Sequence, residues 1–475
     1  MQIFFSNQSA AWAIFIGALH LLFSIPTSIH VLLHKNDERA AIGWIGLVFL
    51  SPFLGSAIYW MFGINRIRIK ALKKLTKSKK KKTDLFLRKK FEPETEFQDK
   101  WRTLMRAGYA IHDSVYLTSN QIVPLLNGDE AYPRMLLAIT NANHDILLSS
   151  YIFDYDQTGH KFVDALGEAR KRNVAVHVLI DGDFLDFRWR MTEMELRKKD
   201  VNTARFLPFS PRFMNLRNHR KILCIDGQIA FIGGLNIRQD NMVGEHPSKP
   251  VQDIHFEVKG PIIDQISKTF TDDWCFATSK PLNVSSWTGT CDGMVTCRVL
   301  PDGPDENYQK LVWTLLSAIN IAEHRIRIMS PYFIPDHAVI CALQAASLRG
   351  VEVQLIVPGK NNIPFFNWAM QANFNDLLKF GLKIYLSAPP FEHSKFFLVD
   401  NCWSFIGSSN WDTRSFALNF EINLECYDYV LNDALEHIFN EKKLKSEVVS
   451  KATCTHYSLY IQARNNFFRL LSPYL

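Results

Sequence analysis

The chain has 475 residues and a formal net charge of +7, room enough for two or three domains with a large core. Thirteen Lys/Arg and a single acid, Asp84, fall between Arg66 and Lys90, so the rest of the chain is left at −5. The basic character belongs to one short run, and the mildly acidic remainder weighs against a nucleic-acid enzyme, which carries its basic patch on the catalytic body.

In chain order, the first feature is apolar. No charged residue occurs from Met1 to Leu33, or again from Ala40 to Asn65. Each stretch holds roughly twenty apolar residues, the length of a bilayer-crossing helix. Two spans are expected, near 10–33 and 40–63, kinked at Pro26 and Pro52, with Trp12, Trp44, Tyr59 and Trp60 toward the interfaces. A cleaved signal peptide fits poorly, because no basic segment precedes the first apolar run and a second follows at once. The connector His34–Arg39 is charge-balanced, whereas Arg66, Arg68, Lys70 and the lysines that follow are not. The positive-inside rule then places both ends of the hairpin in the cytoplasm. The basic run serves as stop-transfer flank and linker, and is suited to holding anionic lipid headgroups.

Beyond Thr83 an internal repeat emerges. Residues 138–153 align without a gap on 318–333, with Ala138/Ala318, Ile139/Ile319, His144/His324, Ser150/Ser330 and Phe153/Phe333 coinciding. In both copies a helical run leads into an apolar strand. A second helix follows (Lys161–Lys171; Ala338–Leu348), then a Val-rich strand (Val174–Ile180; Val351–Val357). Alternating strands and helices predict an α/β fold of parallel-type sheet units covered by helices, and two copies predict a pseudo-twofold pair. The expected divisions are 1–65 for the hairpin, 66–118 for a polybasic linker and lead-in, 119–290 for the first domain and 291–475 for the second. The eight cysteines form no C-x-x-C pair and read as reduced thiols.

The repeat also carries a motif: His-x-Lys, four residues, Asp, six residues, Gly, and Asn three further on. The first copy is His219, Lys221, Asp226, Gly233 and Asn236; the second is His393, Lys395, Asp400, Gly407 and Asn410. On a strand, residues i and i+2 share a side, so each histidine projects with its lysine. A twofold axis would bring both pairs to one cavity, where neither half is competent alone. Imidazole beside ammonium, doubled, suits a phosphodiester. The lysines and the Asn236 and Asn410 amides can hold non-bridging oxygens as phosphorus becomes five-coordinate. One neutral imidazole attacks, and the other, protonated, serves the leaving alkoxide. Each histidine needs a partner on its far nitrogen, and Asp253 and Glu421, in strand-like stretches after the motifs, are the candidates. Asp226 and Asp400 complete the catalytic motif, although their place beyond the strand points more readily to a structural role. Two buried ammonium groups call for an anionic substrate. No P-loop or metal-ligand spacing stands out, and the chemistry calls for no metal or cofactor.

On these residues the chain resembles the phospholipase D superfamily and, within it, bacterial cardiolipin synthases of the phospholipase D type. The leader (Arg39–Ala41, Trp44, Pro52–Arg66), the flank Asn215–Gly227 and the closing Arg469–Leu475 carry the narrower likeness. The resemblance implies two phospholipase D-like α-β-α sandwich domains related by a pseudo-twofold, behind a two-helix transmembrane hairpin. It implies a multi-pass protein of the bacterial inner membrane with its catalytic domains in the cytoplasm. Its partners would be phosphatidylglycerol and other anionic phospholipids, with no nucleic acid and with oligomers allowed. The implied reaction moves a phosphatidyl group from one phosphatidylglycerol to another through a phosphatidyl-histidine, releasing glycerol. By this analogy His219 is the nucleophile and His393 the acid, then base. One departure stands out: Gly233-Gly234 in the first copy answers to Gly407-Ser408 in the second, so the Ser408 hydroxyl supports one half only. The rivals are hydrolysis by a phospholipase D, transfer with another donor or acceptor such as phosphatidylethanolamine, and a nuclease-type phosphodiesterase. Phe365, Phe366 and Trp368 read as core more readily than as an acyl-chain groove.

Overall fold

The computed structural model describes residues 2–35, 38–63, 97–112, 114–181, 188–206, 216–304, 310–452 and 457–471. The chain divides into two compact units, Met1–Lys79 and Lys80–Leu475. The basic run from Arg66 to Lys90 lies outside the described residues.

In the first unit, α1 (Gln2–His34) runs unbroken through Pro26 and contains the stretch Ile14–His34, long and apolar enough to cross a membrane. The expected second span is not one helix. It divides at Ser51, whose φ of −142° and ψ of 81° are not helical, into α2 (Glu38–Leu50) and α3 (Pro52–Ile58), with a wide turn over Tyr59–Gly63. The two prolines act differently for a local reason. Pro52 occupies the first turn of a helix, where its missing N–H costs nothing, and so starts a new one. Val31, Ala41, Val48 and Tyr59 pack together, and the Tyr59 hydroxyl meets His30 Nδ1 at 2.8 Å. Tyr59 is therefore a packing residue here rather than an interfacial anchor.

The second unit is built on a sixteen-stranded sheet. The first repeat supplies β1 (Leu117–Leu126), β2 (Asp145–Ser150), β3 (Ala175–Ile180), β4 (Asn202–Arg205), β5 (Arg217–Asn218), β6 (Ile222–Ile225), β7 (Ile229–Gly233), β8 (Val251–Gln252) and β9 (Ile254–Lys259). The second supplies β10 (Val295–Asp302), β11 (Arg325–Met329), β12 (Phe333–Ile334), β13 (Glu352–Pro358), β14 (Lys383–Ser387), β15 (Phe391–Glu392), β16 (Phe396–Val399), β17 (Trp403–Gly407), β18 (Trp411–Asp412), β19 (Asn419–Tyr427) and β20 (Glu447–Val448). From one edge the order is β20-β14-β13-β11-β16-β17-β19-β10, and it continues β1-β9-β7-β6-β2-β3-β4. The second run reverses the first, so the repeats face each other across the antiparallel pair β1–β10. The sheet is mixed. β2, β3 and β4 are parallel, as the helical crossovers demand, while β6, β7, β9 and β1 are antiparallel neighbours.

Local signals agree with this assembly. Asp156 and Asp336, at matching places in the repeats, cap helices Gln157–Lys171 and His337–Leu348 by accepting from Gly159 and Val339 amides. One element crosses the expected divisions. Helix Asp99–Ile111 precedes the first repeat, yet Trp101, Leu104 and Met105 belong to the core of the second. Arg298, on β10, clamps it through a 2.6 Å bond to the Gly108 carbonyl, and a Cβ on Gly108 would come within 2.5 Å of that guanidinium.

Candidate active site

Two short exchanges between repeats build the site. β5 pairs in parallel with the start of β19 (Asn419 opposite Arg217, Phe420 opposite Asn218), and β8 pairs in parallel with β15. Each exchange ends where a motif begins. The His219 amide donates to the Phe420 carbonyl at 2.9 Å, and the His393 amide to the Gln252 carbonyl at 2.7 Å. Each histidine thus lies beside the carboxylate of the opposite repeat. His219 Nδ1 sits 3.0 Å from Glu421 Oε2, and His393 Nδ1 sits 2.6 Å from Asp253 Oδ2. With Nδ1 occupied, Nε2 is left for chemistry.

The motif stretches are not continuous strands, as the pattern suggested; His219–Lys221 and His393–Lys395 are the gaps between β5 and β6 and between β15 and β16. Each lysine turns back on its own histidine. Lys221 Nζ donates to the His219 carbonyl at 2.6 Å, and Lys395 Nζ donates to the His393 carbonyl while lying 2.8 Å from Nδ1 of that ring. The intervening Arg220 is buried and turns elsewhere. It donates to the Glu421 carbonyl at 2.8 Å, pairs with Asp273 and reaches the Asp302 carbonyl, binding the carboxylate-bearing strand to the first repeat. Tyr151 meets the His219 ring edge-on at 5.1 Å, and Tyr332 meets the His393 ring likewise at 6.3 Å.

The motif glycines follow from the backbone. Gly233 and Gly407 have φ of +146° and +154°, and a Cβ on Gly407 would lie 2.3 Å from the Ile422 carbonyl oxygen. The next position separates the two halves. A Cβ on Gly234 would fall 2.2 Å from Asp253 Oδ1, so that residue must be glycine for Asp253 to stand where it does. In the other half the longer Glu421 leaves room for Ser408, whose hydroxyl donates at 2.5 Å to the same Oε2 that holds His219.

Electrostatics follow from burial. Lys221 and Lys395 are pushed down to about 7 and about 8 chiefly by burial, against the pull of the neighbouring carboxylates. Burial also lowers His219, and with Lys395 it takes His393 to about 4. For Asp253 and Glu421 burial acts upward, but Lys395 and His393 in one case, His219 and Lys221 in the other, outweigh it and hold both below the ordinary carboxylate range. Below about pH 7 the resting site balances two ammonium groups against two carboxylates. The anions inferred from the buried lysines are already present in the protein. A phosphodiester brings one further negative charge, which a single proton on an imidazole can offset.

The structure gathers His219, Lys221, His393, Lys395, Asp253, Glu421 and Ser408. It does not gather Asp226 and Asp400. These adopt left-handed φ of +54° and +52° beyond the strands and bind the turns that hold His144 and His324. Asp226 accepts from the Asn143, His144 and Asp145 amides at 2.8, 2.8 and 2.9 Å, and Asp400 from the Glu323, His324 and Arg325 amides and from Lys100 at 2.8 Å. They brace the repeat rather than join the chemistry, a correction to the motif read as one catalytic unit. Asn236 Oδ1 is taken by the Ile152 amide at 3.0 Å, and Asn410 Oδ1 is buried without a hydrogen bond among the described residues. Of the aromatic group, Phe366 is core while Phe365 is exposed. Arg220 and Lys100 escaped the sequence reading, because a lone basic residue carries no mark of the partner it will meet.

The architecture and the paired-imidazole site are of the phospholipase D type. The phosphatidylserine synthase of Haemophilus influenzae Rd KW20 has the same fold, with a TM-score of 0.63 and 16% identity over 78% of this chain and 100% of that one. Residues 135–274 and 315–443 match the family described as cardiolipin synthase, PLD-like domain, and residues 22–63 match the phospholipase D-nuclease N-terminal family. The major cardiolipin synthase ClsA of Bacillus subtilis (strain 168) is 30% identical over 478 residues, covering 96% of this chain and 97% of that one. A cardiolipin synthase of Clostridium perfringens (strain SM101 / Type A) is 29% identical over 465 residues, 93% and 95% of the two chains. The chain belongs to the cardiolipin synthase, PLD-like domain family.

Proposed function

We propose that this protein makes cardiolipin from two molecules of phosphatidylglycerol. His219 Nε2 attacks the phosphorus of the first, forming a P–N bond as the P–O bond to glycerol breaks. His393 gives its proton to the departing glycerol oxygen. It then takes the proton from the terminal hydroxyl of the second phosphatidylglycerol, whose oxygen attacks phosphorus and releases His219. One phosphodiester replaces another, so the exchange needs no nucleotide. Lys221, Lys395, Asn236 and Asn410 hold the non-bridging oxygens of the five-coordinate phosphorus. The observation that carries this reading is the crossed pairing of two histidines with two carboxylates, which makes one site from both repeats. The hairpin α1–α3 anchors the enzyme in the bacterial inner membrane, with the catalytic unit on the cytoplasmic side of the basic run.

The test is to give purified full-length enzyme defined lipids and weigh the products. Phosphatidylglycerol alone should yield cardiolipin and glycerol in equal amounts. Phosphatidic acid as the sole lipid product would instead make the protein a hydrolase.

A further inference from the structure

The closing helix of the catalytic unit, Leu459–Leu470, carries two unlike faces. Inward, its buried Asn465 donates to Gln371 Oε1 at 3.3 Å, and Phe468 packs on Phe365 and Trp368 with ring centroids at 5.6 and 4.9 Å. Gln371, Phe365 and Trp368 all belong to helix Pro364–Lys379. Outward, Leu459, Ala463, Phe467 and Leu470 follow at spacings of four, four and three, a single helical stripe. Leu459, Phe467 and Leu470 are 84%, 58% and 74% exposed, and Tyr460 beside them is 76% exposed. Single exposed apolar residues are ordinary on a protein surface; an ordered stripe over three turns is not.

Charge and position indicate what covers it. No acidic residue follows Glu447, while Arg464 and Arg469 flank the stripe, Arg464 resting over the Trp368 ring at 4.5 Å. Apolar face and basic flanks together suit the headgroup boundary of an anionic bilayer. The stripe is also joined to the active site by a succession of rings. Tyr332 lies edge-on to His393 and meets Phe366 at a tilt, with centroids 4.2 Å apart; the adjacent Phe365, 42% exposed, stacks on Phe468.

We propose that helix Leu459–Leu470, together with Phe365, lies in the headgroup and acyl boundary of an anionic bilayer and seats the His393 side of the site on the lipid surface. This rests on the reading that the substrates are membrane lipids. It gives the catalytic unit a contact with the bilayer of its own, separate from the N-terminal hairpin.

Full-length protein in phosphatidylglycerol/phosphatidylcholine vesicles containing a lipid with a photoactivatable acyl chain provides the test, with digestion and mass analysis after illumination. Lipid adducts are expected on the peptide spanning 459–471 as well as on the N-terminal helix. In the triple variant L459Q/F467Q/L470Q those adducts should disappear and KM for phosphatidylglycerol in vesicles should rise about tenfold. Turnover of short-chain phosphatidylglycerol dispersed as monomers should stay unchanged, which shows that the variant is folded. No adduct on that peptide in the unaltered protein, or an unchanged vesicle KM in the variant, overturns the proposal. So does a dimer in detergent that the triple variant dissociates, since the stripe would then bind a second copy of the chain. Adducts without any cardiolipin among the products sustain the lipid contact and remove only the synthase reading.

Discussion

Glu421 of the second repeat holds His219 of the first through a 3.0 Å contact at Nδ1, and Asp253 of the first holds His393 of the second at 2.6 Å. Each imidazole thus takes its orientation from the other half. The arrangement explains why the repeats form one continuous unit and why a half by itself would hold an imidazole without its partner.

Replacing either carboxylate by its amide tests that dependence. Glu421→Gln and Asp253→Asn keep the shape but remove the charge that fixes the ring tautomer. Each is expected to lower kcat by about 10²–10⁴-fold, as for comparable His-orienting aspartates, with a much smaller effect on KM. Steady-state kinetics on vesicles, with circular dichroism to confirm folding, separates this from misfolding.

The roles of the two histidines are separable by trapping. Rapid mixing with radiolabelled phosphatidylglycerol followed by a quench in mildly alkaline denaturing detergent, which spares the acid-labile P–N bond, should capture a phosphatidyl-protein in the unaltered enzyme, with label on His219 by peptide mapping. His219→Ala should give none, whereas His393→Ala should form it slowly and retain it. Label on His393 would reverse the assignment.

Binding should depend on pH through the lysines. Lys221 and Lys395, held near 7 and 8, must be charged to bind an anion. KM is expected to climb as pH passes from 7 to 9, approaching tenfold per unit for each lysine beyond its own value. Calorimetry in buffers of different ionisation enthalpy should show proton uptake on binding a soluble phosphodiester. Stability of the free protein runs the opposite way. Below pH 7 the folded state carries the full cost of two buried ammonium groups. Between 7 and the ordinary lysine value the unfolded chain binds more protons than the folded one, so Tm should rise with pH across that range. Lys221→Met should abolish turnover and flatten this slope.

The unequal glycine and serine give a directional test. Gly234→Ser places a Cβ against Asp253 Oδ1 and should displace that carboxylate, reducing kcat by about 10²-fold or more through His393. Ser408→Gly removes one hydrogen bond to Glu421 and makes the second half resemble the first. Its cost is expected to be about tenfold or less, the worth of one hydrogen bond to a charged group.

Asp400 should reveal itself in stability. Burial alone would raise its carboxyl, but Lys100 and three backbone amides hold it low, so its contribution is present above the ordinary aspartate value and is lost as pH falls through the folded one. Asp400→Ala should lower stability by about 1–3 kcal/mol in urea titrations, leaving three amides unsatisfied, while KM for lipid changes little. A loss of kcat with unchanged urea midpoint would return Asp400 to the catalytic group.

What the sequence determined by itself is everything that repeats locally. The doubled His-x-Lys pattern at fixed offsets marked the imidazole and ammonium groups that the fold gathers, and the gapless match of 138–153 to 318–333 marked the two halves, because periodic side chains and turn residues are properties of short stretches. The candidates Asp253 and Glu421 were also legible, each following its motif in an apolar strand. Their assignment was not. Asp253 serves His393, 140 residues away, through the parallel pairing of β8 with β15, and strand exchange of two residues leaves no periodic trace. The helix around Trp101 entered the second core for the same reason, since an amphipathic face does not name the surface it will meet. The break at Ser51–Pro52, the bracing role of Asp226 and Asp400, and the displacement of serine by glycine beside Asp253 were likewise decided in three dimensions. Sequence specifies which groups are available; long-range backbone pairing specifies which of them stand within 3 Å of one another.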